Sequence, residues 1–403
     1  MAESILKQRA FRTLWLAQLV SVFGDFLAIF GVISRITFRL HGTPVDVSVV
    51  MVAYMLPLAV VGPLAGVLVD RWRVRRVMIA SDLVRALLAA SLIFAHDVRG
   101  IAVILALLGF FSSFFGPAQS VALRTLVPPE NLLAANAMLS QAFYVVRILS
   151  PAIAGALVAW AGENLCFWLD AGSFLFSAAL ISTLLIERPL THQGSVKALT
   201  HDFAEGNRFI FTHRALTFAF LASAAAMFML SSFSPLISIY IRDTLHAGTL
   251  LYGGISSMVG VGLIFGTQLL AKAGKERPMA SVILVGLFAL GGGAALLGAF
   301  ENVGTAALST FTIGAAIAFV IVPAQTLSQR DTPHAMQGRV SSTFMSLFSL
   351  AQVLGLLLSG VLAARLGIRQ LFLACAAATA LLAVASWLFL RPRSQPQVSE
   401  PSP

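Results

Sequence analysis

Between Asp46 and Asp70 lies a run, Val49 to Val69, with no charged residue. A helix of that length, rising ~1.5 Å per residue, spans the ~30 Å hydrocarbon core of a bilayer. Comparable runs recur at 11–38, 47–69, 76–95, 101–123, 132–160 and 164–186. After a polar interval they resume at 215–240, 250–271, 279–299, 304–327, 338–363 and 368–390. Soluble domains are roughly 25% charged and 45–50% apolar, whereas this chain is 11% charged and 58% hydrophobic. The expected fold class is therefore an all-α membrane protein with twelve transmembrane helices. The basic N-terminal flank leads into a full span, which predicts a retained helix rather than a cleaved leader. Cys166 and Cys375 both fall inside spans and read as small packing residues.

A net charge of +10 invites a nucleic-acid reading, but its distribution follows the spans. One alternating set of loops holds the N-terminus, the segments near 70–76, 124–130, 187–214, 272–277 and 328–339, and the tail. That set contains 19 of the 27 Lys and Arg. The other set holds only Arg39, Arg99, Arg242, Arg365 and Arg369, while Arg35, Arg85 and Arg147 lie within spans. Positive loops mark the cytoplasmic side. Both termini are thus expected in the cytoplasm, in a multi-pass protein of the plasma (inner) membrane. The basic surplus orients the chain and implies no nucleic-acid partner.

The longest polar connection, Glu187–Arg214, separates six spans from six. The expected organisation is an N-terminal six-helix bundle over 1–186 and a cytoplasmic linker over 187–214. Within the linker, "DFAEGNRFIF" suits a short surface helix and the first half a flexible strap. A second bundle over 215–392 and a disordered tail over 393–403 follow. The halves repeat each other. "PAQSVALR" at 117–124 matches "PAQTLSQR" at 323–330 with an offset of 206 residues, and "AGALVAWAG" at 154–162 matches "SGVLAARLG" at 359–367 with an offset of 205. Duplicated bundles of parallel topology, with a substrate site near the midplane between them, form one large class of transporters.

Between spans 2 and 3, Asp70, Arg71, Arg73, Arg75 and Arg76 crowd into seven residues just after Gly66. Together with "ASDLVRA", "FFGPAQ", "LLAANAM", "RILSPAIAGALVAWAG" and "QGRVSS", this loop resembles the major facilitator superfamily. The similarity is to the branch containing the enterobactin exporter and macrolide efflux pumps, and it covers most of residues 10–390. It implies two pseudo-symmetric six-helix bundles working by alternating access, with the loop as a latch. In that reading Gly66 lets helices approach closely. Asp70 then pairs with a nearby Arg and bonds backbone donors around span 11 when the cytoplasmic side is closed. Asp82 and Arg85, three apart on one helical face, are expected to brace this latch. The alternative for the arginines is topology alone. The chain departs from the family at Arg73, where an acid is usual, and at Ser150, where many members hold Gly. In the second-half loop, Ala271 stands where an Asp would complete a symmetric latch.

An ionised side chain at mid-bilayer costs ~2.5–3.5 kcal/mol or more, so embedded charges are functional candidates. Asp25 and Arg147 sit about halfway along spans 1 and 5, and Asp170 lies one to two turns inside span 6. Asp25 is the expected proton carrier. Arg147 either pairs with it as a fixed counter-charge between spans 1 and 5 or binds an anion; Asp170 is equally a structural or a coupling residue. No histidine lies deep in a span, and no G-x-x-x-x-G-K-[ST] suggests ATP. Nothing in the spans groups as a metal or catalytic site, so no cofactor and no enzyme activity are expected.

Gln119, Gln141, Tyr144 and the repeat-related Gln325 are polar groups at membrane depth suited to orienting a ligand. The phenylalanine clusters at 23–30 and 110–115 read chiefly as packing. The expectation is a monomeric, proton-coupled exporter of drug-like or siderophore-like amphipathic molecules, with protons, a small-molecule substrate and the lipid bilayer as partners. An importer or lipid translocator on the same fold is the alternative, and a non-transporting membrane sensor the rival class.

Overall fold

The computed structural model describes residues 5–69, 71–186, 196–273, 278–333 and 336–390. Among these, twelve helical segments are long and apolar enough to cross a membrane. The first six crossings are α1 (Arg9–Ser34), α2 (Pro44–Val69), α3 (Val74–Ser91), α4 (Val98–Leu126), α5 (Leu132–Ala161) and α6 (Glu163–Ser182). A π-helical turn over Arg35–Arg39 extends α1. A connecting helix, α7 (Val196–Thr212), leads to α8 (Arg214–Phe233) and α9 (Ile237–Asp243). These two share one crossing, broken near Pro235, which has no N–H to continue the ladder. The chain ends in α10 (Thr249–Ala273), α11 (Met279–Ala299), α12 (Val303–Asp331), α13 (Gln337–Leu366) and α14 (Ile368–Leu390). The expected surface helix of the linker is α7. The expected strap at 187–195 and the tail at 391–403 lie outside the described residues.

In the first half α1 packs on α5 and α6, α2 on α4, and α3 on α4 and α6. In the second, α10 and α11 pack on α12, α11 on α14, and α8 on α12 and α13. Two seams join the halves, α5 against α10 and α2 against α13. Leu87, Trp160 and Leu381 are exposed on the outside, as suits a helix bundle whose solvent is hydrocarbon.

The internal repeat is visible in the backbone. Pro117 and Pro323 sit inside α4 and α12. Gly162 and Gly367 end α5 and α13 alike, with φ/ψ of 79°/169° and 90°/153°. Each donates its N–H over 2.9 Å, to the carbonyls of Val158 and Ala363. A positive φ with an extended ψ is essentially a glycine conformation, which explains a glycine at both ends.

The loops between α1 and α2, α3 and α4, α5 and α6, and their second-half counterparts share one end of the molecule, the hairpin end. Helix α7, the start of α1 and the end of α14 lie at the other, the linker end. Both seams close at the hairpin end. There a Cβ on Gly155 would lie 2.9 Å from Gly253 Cα, so α5 and α10 touch through bare backbone. Thr37 Oγ1 is 2.9 Å from Ser238 Oγ, and Ser48 Oγ is 3.4 Å from Ser359 Oγ. Arg242 Nη1 crosses the divide to donate to the carbonyls of Thr37 (2.7 Å) and Gly42 (3.0 Å). Toward the linker end, among the described residues, no atom lies within 4 Å of a Cβ built on Gly66; the close approach expected of it belongs to the state closed at that end, whereas both seams here close at the hairpin end. The tight helix contacts of α2 are made elsewhere, where Tyr54 meets Gly109.

Gly162→Ala and Gly367→Ala should each cost about 1–3 kcal/mol, the strain of a side chain in that backbone region. Thermal unfolding in detergent should show a lowered midpoint for each and a larger drop for the pair. Gly248→Ala, at a position with nothing nearby, should leave the midpoint unchanged.

Candidate functional site

Four charged side chains from three helices meet inside the first half: Asp25 from α1, Asp82 and Arg85 from α3, and Asp170 from α6. Asp82 and Asp170 are 0% and 1% exposed, and Arg85 is 3% exposed. The three-residue spacing on α3 turns Asp82 and Arg85 the same way. Arg85 Nη2 donates to Asp82 Oδ1, and its Nη1 lies 4.0 Å from Asp25 Oδ2. The guanidinium sits over two rings, its Cζ 4.5 Å from the centroid of Phe115 on α4 and 4.3 Å from that of Phe174 on α6. Such cation–π contacts hold a cation in place where water is scarce. Asp170 is within electrostatic reach of Asp25, Arg85 and Asp82. Ser173 Oγ donates to the Asp170 carbonyl at 2.8 Å and lies 3.4 Å from Oδ1. Helix α1 passes this close because of Gly24, where a Cβ would stand 2.7 Å from Asp170 Oδ1.

Three carboxylates therefore share one guanidinium. Fully ionised, the cluster carries two uncompensated negative charges; with two protons bound it is neutral. Asp82 Oδ2 and Arg85 Nε have no hydrogen-bond partner among the described residues. The carboxylate oxygen can accept a proton, whereas the Nε–H can only donate. Asp25 is the one accessible acid of the group, with 24% of its side chain exposed.

A second network, at the hairpin end, is of the opposite kind. Arg35 donates from Nε to Glu163 Oε1 (3.1 Å), from Nη1 to the carbonyls of Leu92 (2.6 Å) and Ala95 (3.2 Å), and from Nη2 to Asn164 Oδ1. Its Cζ also lies 4.6 Å from the Phe167 ring centroid. Arg39 Nη1 joins the same Glu163 oxygen at 2.7 Å. This set ties the ends of α1, α3 and α6 together with its guanidinium well satisfied, which suits a clamp.

Toward the linker end a cavity of about 260 Å³ opens between α1, α4 and α5. Its polar wall is Gln18, Gln119, Ser120, Asn136, Ser140 and Tyr144. Asn136, Ser140, Phe143 and Arg147 recur every three or four residues and so share one face of α5. Arg147 is exposed there and has no ion-pair partner among the described residues. On α1, Gln18 and Asp25 are seven residues apart, two turns along one face. Phe26 and Phe143, ring centroids 5.7 Å apart, join the two helices beside the cavity.

The sequence matches the Major Facilitator Superfamily over residues 14–355 and 332–403. The chain belongs to this family. It is 31% identical over 380 residues to the uncharacterized MFS-type transporter YfiS of Bacillus subtilis, covering 91% of this chain and 90% of that protein. The multidrug efflux pump Tap of Mycolicibacterium fortuitum is 28% identical, and macrolide efflux protein A of Streptococcus pyogenes is 25% identical. Both alignments cover 90% of this chain and 91% of the relative. Among solved structures, a bacterial homologue of the human lysosomal transporter Spinster superposes with a TM-score of 0.74 at 14% identity, covering 95% of this chain and 98% of that one. A mutant of the nucleoside transporter NupG gives 0.74 at 12% identity, covering 95% and 100%. The two-bundle fold expected from the sequence is the one observed, and this major facilitator chain is a multi-pass membrane transporter rather than an enzyme.

Asp25 and Asp170, both picked out in the sequence, come together. Asp82 and Arg85 do not brace the loop: they are buried against α1, α4 and α6, because their shared face points into the bundle. Arg147 does not pair with Asp25, whose cation is Arg85. Gln119 and Tyr144 line the cavity. Gln141 and Gln325 are exposed but lie outside its lining; Gln141 is one residue, about 100° of helix turn, past Ser140. In the loop, Arg75 donates to the Ser182 carbonyl and so caps the end of α6. Arg71, Arg73 and Arg76 are exposed, and Asp70 lies outside the described residues. Sequence reasoning missed Gln18, Asn136 and Ser140. Their signal was helical spacing from Asp25 and Arg147.

Removing Arg85 strands the acids, and breaking a buried pair from one side costs about 3–5 kcal/mol. Arg85→Gln should therefore lower the yield of monodisperse protein and its unfolding midpoint. Adding Asp82→Asn should restore part of both. If the double variant is no better than the single, charge balance is not what Arg85 supplies.

Proposed function

We propose that this transporter is a proton-coupled exporter of amphipathic, drug-like or siderophore-like molecules, working by alternating access. One observation carries the reading: a cluster of three acids around one guanidinium, two of them buried, with Asp25 accessible beside a polar cavity. Proton binding at Asp25 neutralises charge that the protein itself leaves uncompensated. The relatives named as efflux pumps, Tap and macrolide efflux protein A, support export as the direction. One proton crossing ~100 mV and one pH unit releases about 2.3 and 1.4 kcal/mol, enough for roughly a 500-fold substrate gradient.

In this reading residues 1–186 and 215–392 rock as two units about the hairpin-end contacts, in the plasma (inner) membrane and as a monomer. The basic linker end faces the cytoplasm, following the positive-inside rule. Arg242 holds the outer side shut through the carbonyls of Thr37 and Gly42.

Asp25→Asn mimics the protonated acid. In proteoliposomes it should still exchange substrate downhill but fail to concentrate it under an imposed pH gradient. Retained uphill transport would move the proton site to Asp170 or Asp82. Sidedness has its own test, in a background lacking Cys166 and Cys375. An impermeant thiol reagent on intact cells should label Gly248→Cys and spare Ser195→Cys; labelling of the latter would invert the assignment.

A further inference from the structure

Two opposite charges stand just beyond the cavity lining, on the helix faces that form it, and do not meet. Arg147 is exposed on the same face of α5, one turn past Phe143, at the end of the row formed by Asn136, Ser140 and Phe143. Asp25 presents 24% of its side chain two turns along α1 from Gln18, which lines the same cavity. Arg147 and Asp25 form no ion pair with each other, and Arg85 reaches Asp25 only at 4.0 Å while its main bond goes to Asp82. Both lie at membrane depth, where an exposed charge without a close partner is costly.

The second half offers no competing charge at this depth. Its acids among the described residues, Asp243, Glu301 and Asp331, stand at helix ends, paired with Arg242, Arg369 and Arg330. Arg339 at the linker end is bonded to Glu205. The cavity lining itself is neutral: amides from Gln18, Gln119 and Asn136, hydroxyls from Ser140 and Tyr144, and apolar surface from Leu139 and Phe143.

From this arrangement we infer that the cavity selects zwitterionic amphiphiles, with a basic amine at Asp25, a carboxylate or similar anionic group at Arg147, and an apolar body on the wall between. The inference rests on the export reading and narrows it to a substrate class. A ligand with both charges neutralises both exposed groups at once, whereas a simple cation or anion leaves one of them bare. The amine also competes with a proton for Asp25, so release of the proton toward the cytoplasm readies the site for substrate. Arg147 plays no part in that exchange and acts on specificity alone.

The test uses the purified full-length protein in detergent and three forms of one fluorescent scaffold, an aryl ring bearing an alkylamine. The parent carries a free amine and a carboxylate, the second is its methyl ester and the third its N-acyl derivative. The parent should bind at least about tenfold more tightly than either blocked form, a difference of one charge-assisted contact. Arg147→Gln should abolish the preference for acid over ester while keeping that for amine over N-acyl. Asp25→Asn should do the reverse, and Arg147→Lys should retain the acid preference, which separates charge recognition from a folding defect. Equal binding of acid and ester by the unaltered protein would overturn the inference, as would an unchanged ratio in Arg147→Gln. If pH-driven transport of a purely cationic dye persists in either case, the export reading stands while the zwitterion assignment falls.

Discussion

A single guanidinium, that of Arg85, sets the electrostatics of the whole first bundle. Among the described residues, the five charged ones that are buried, Arg35, Asp82, Arg85, Glu163 and Asp170, all belong to this half. Arg85 must serve Asp82 on its own helix and Asp25 on another, while two aromatic rings take the place of water around it. A guanidinium offers five donors in a fixed plane and stays charged. It can therefore organise several carboxylates at once, which an ammonium does less well. Helices α1, α3 and α6 are positioned by this shared charge as much as by apolar packing.

The two arginine networks divide the labour between holding and exchanging. At the hairpin end Arg35 and Arg39 meet one carboxylate, and backbone carbonyls with an Asn side chain take up the remaining donors of Arg35. A group that well satisfied has little to gain from a new partner, so it makes a rigid clamp at the hairpin end. At Arg85 acids outnumber the base, and two polar atoms go without partners among the described residues. Such a network is poised rather than finished, because binding a proton removes a penalty that the fold leaves in place. The clamp and the cluster stand on the same three helices, so a change in the cluster's charge acts directly on elements anchored at the hairpin-end seam.

Much of the fold was legible because hydrocarbon imposes one rule on long segments. Chargeless runs such as Val49–Val69 have to be helices, and their ends matched the observed ones to within a few residues. The repeat was also legible, since Gly162 and Gly367 mark the same backbone turn in each half. The partners of each charge were not. Depth along a span says how costly a charge is but not which way it points, and azimuth changes by about 100° per residue. Asp25 and Arg147 share a depth and invite pairing, yet Asp25 meets Arg85 of α3, a residue expected to brace the loop. The same step separates Ser140, in the cavity wall, from Gln141, outside it. Glu163, which completes the clamp, is 128 residues from Arg35 and carries no local signal of it.

The duplication makes the asymmetry of charge informative. Backbone devices appear in both copies, with prolines inside α4 and α12 and positive-φ glycines after α5 and α13. The geometry of two matching bundles depends on them, so each half has its own. Buried charge has no such need to be doubled. Each additional ionisable cluster in hydrocarbon would add its own desolvation cost, whereas a rocking motion needs a change of charge on only one side of the divide. Where the second bundle touches the first, small neutral groups meet at Gly253 and Gly155, Ser238 and Thr37, and Ser359 and Ser48. Phe30 stacks on Tyr252 in the same seam, ring centroids 4.5 Å apart, and Arg242 donates to backbone carbonyls across it. In the mechanism proposed above, a charge change near Asp25 works against these contacts from one side of the divide alone.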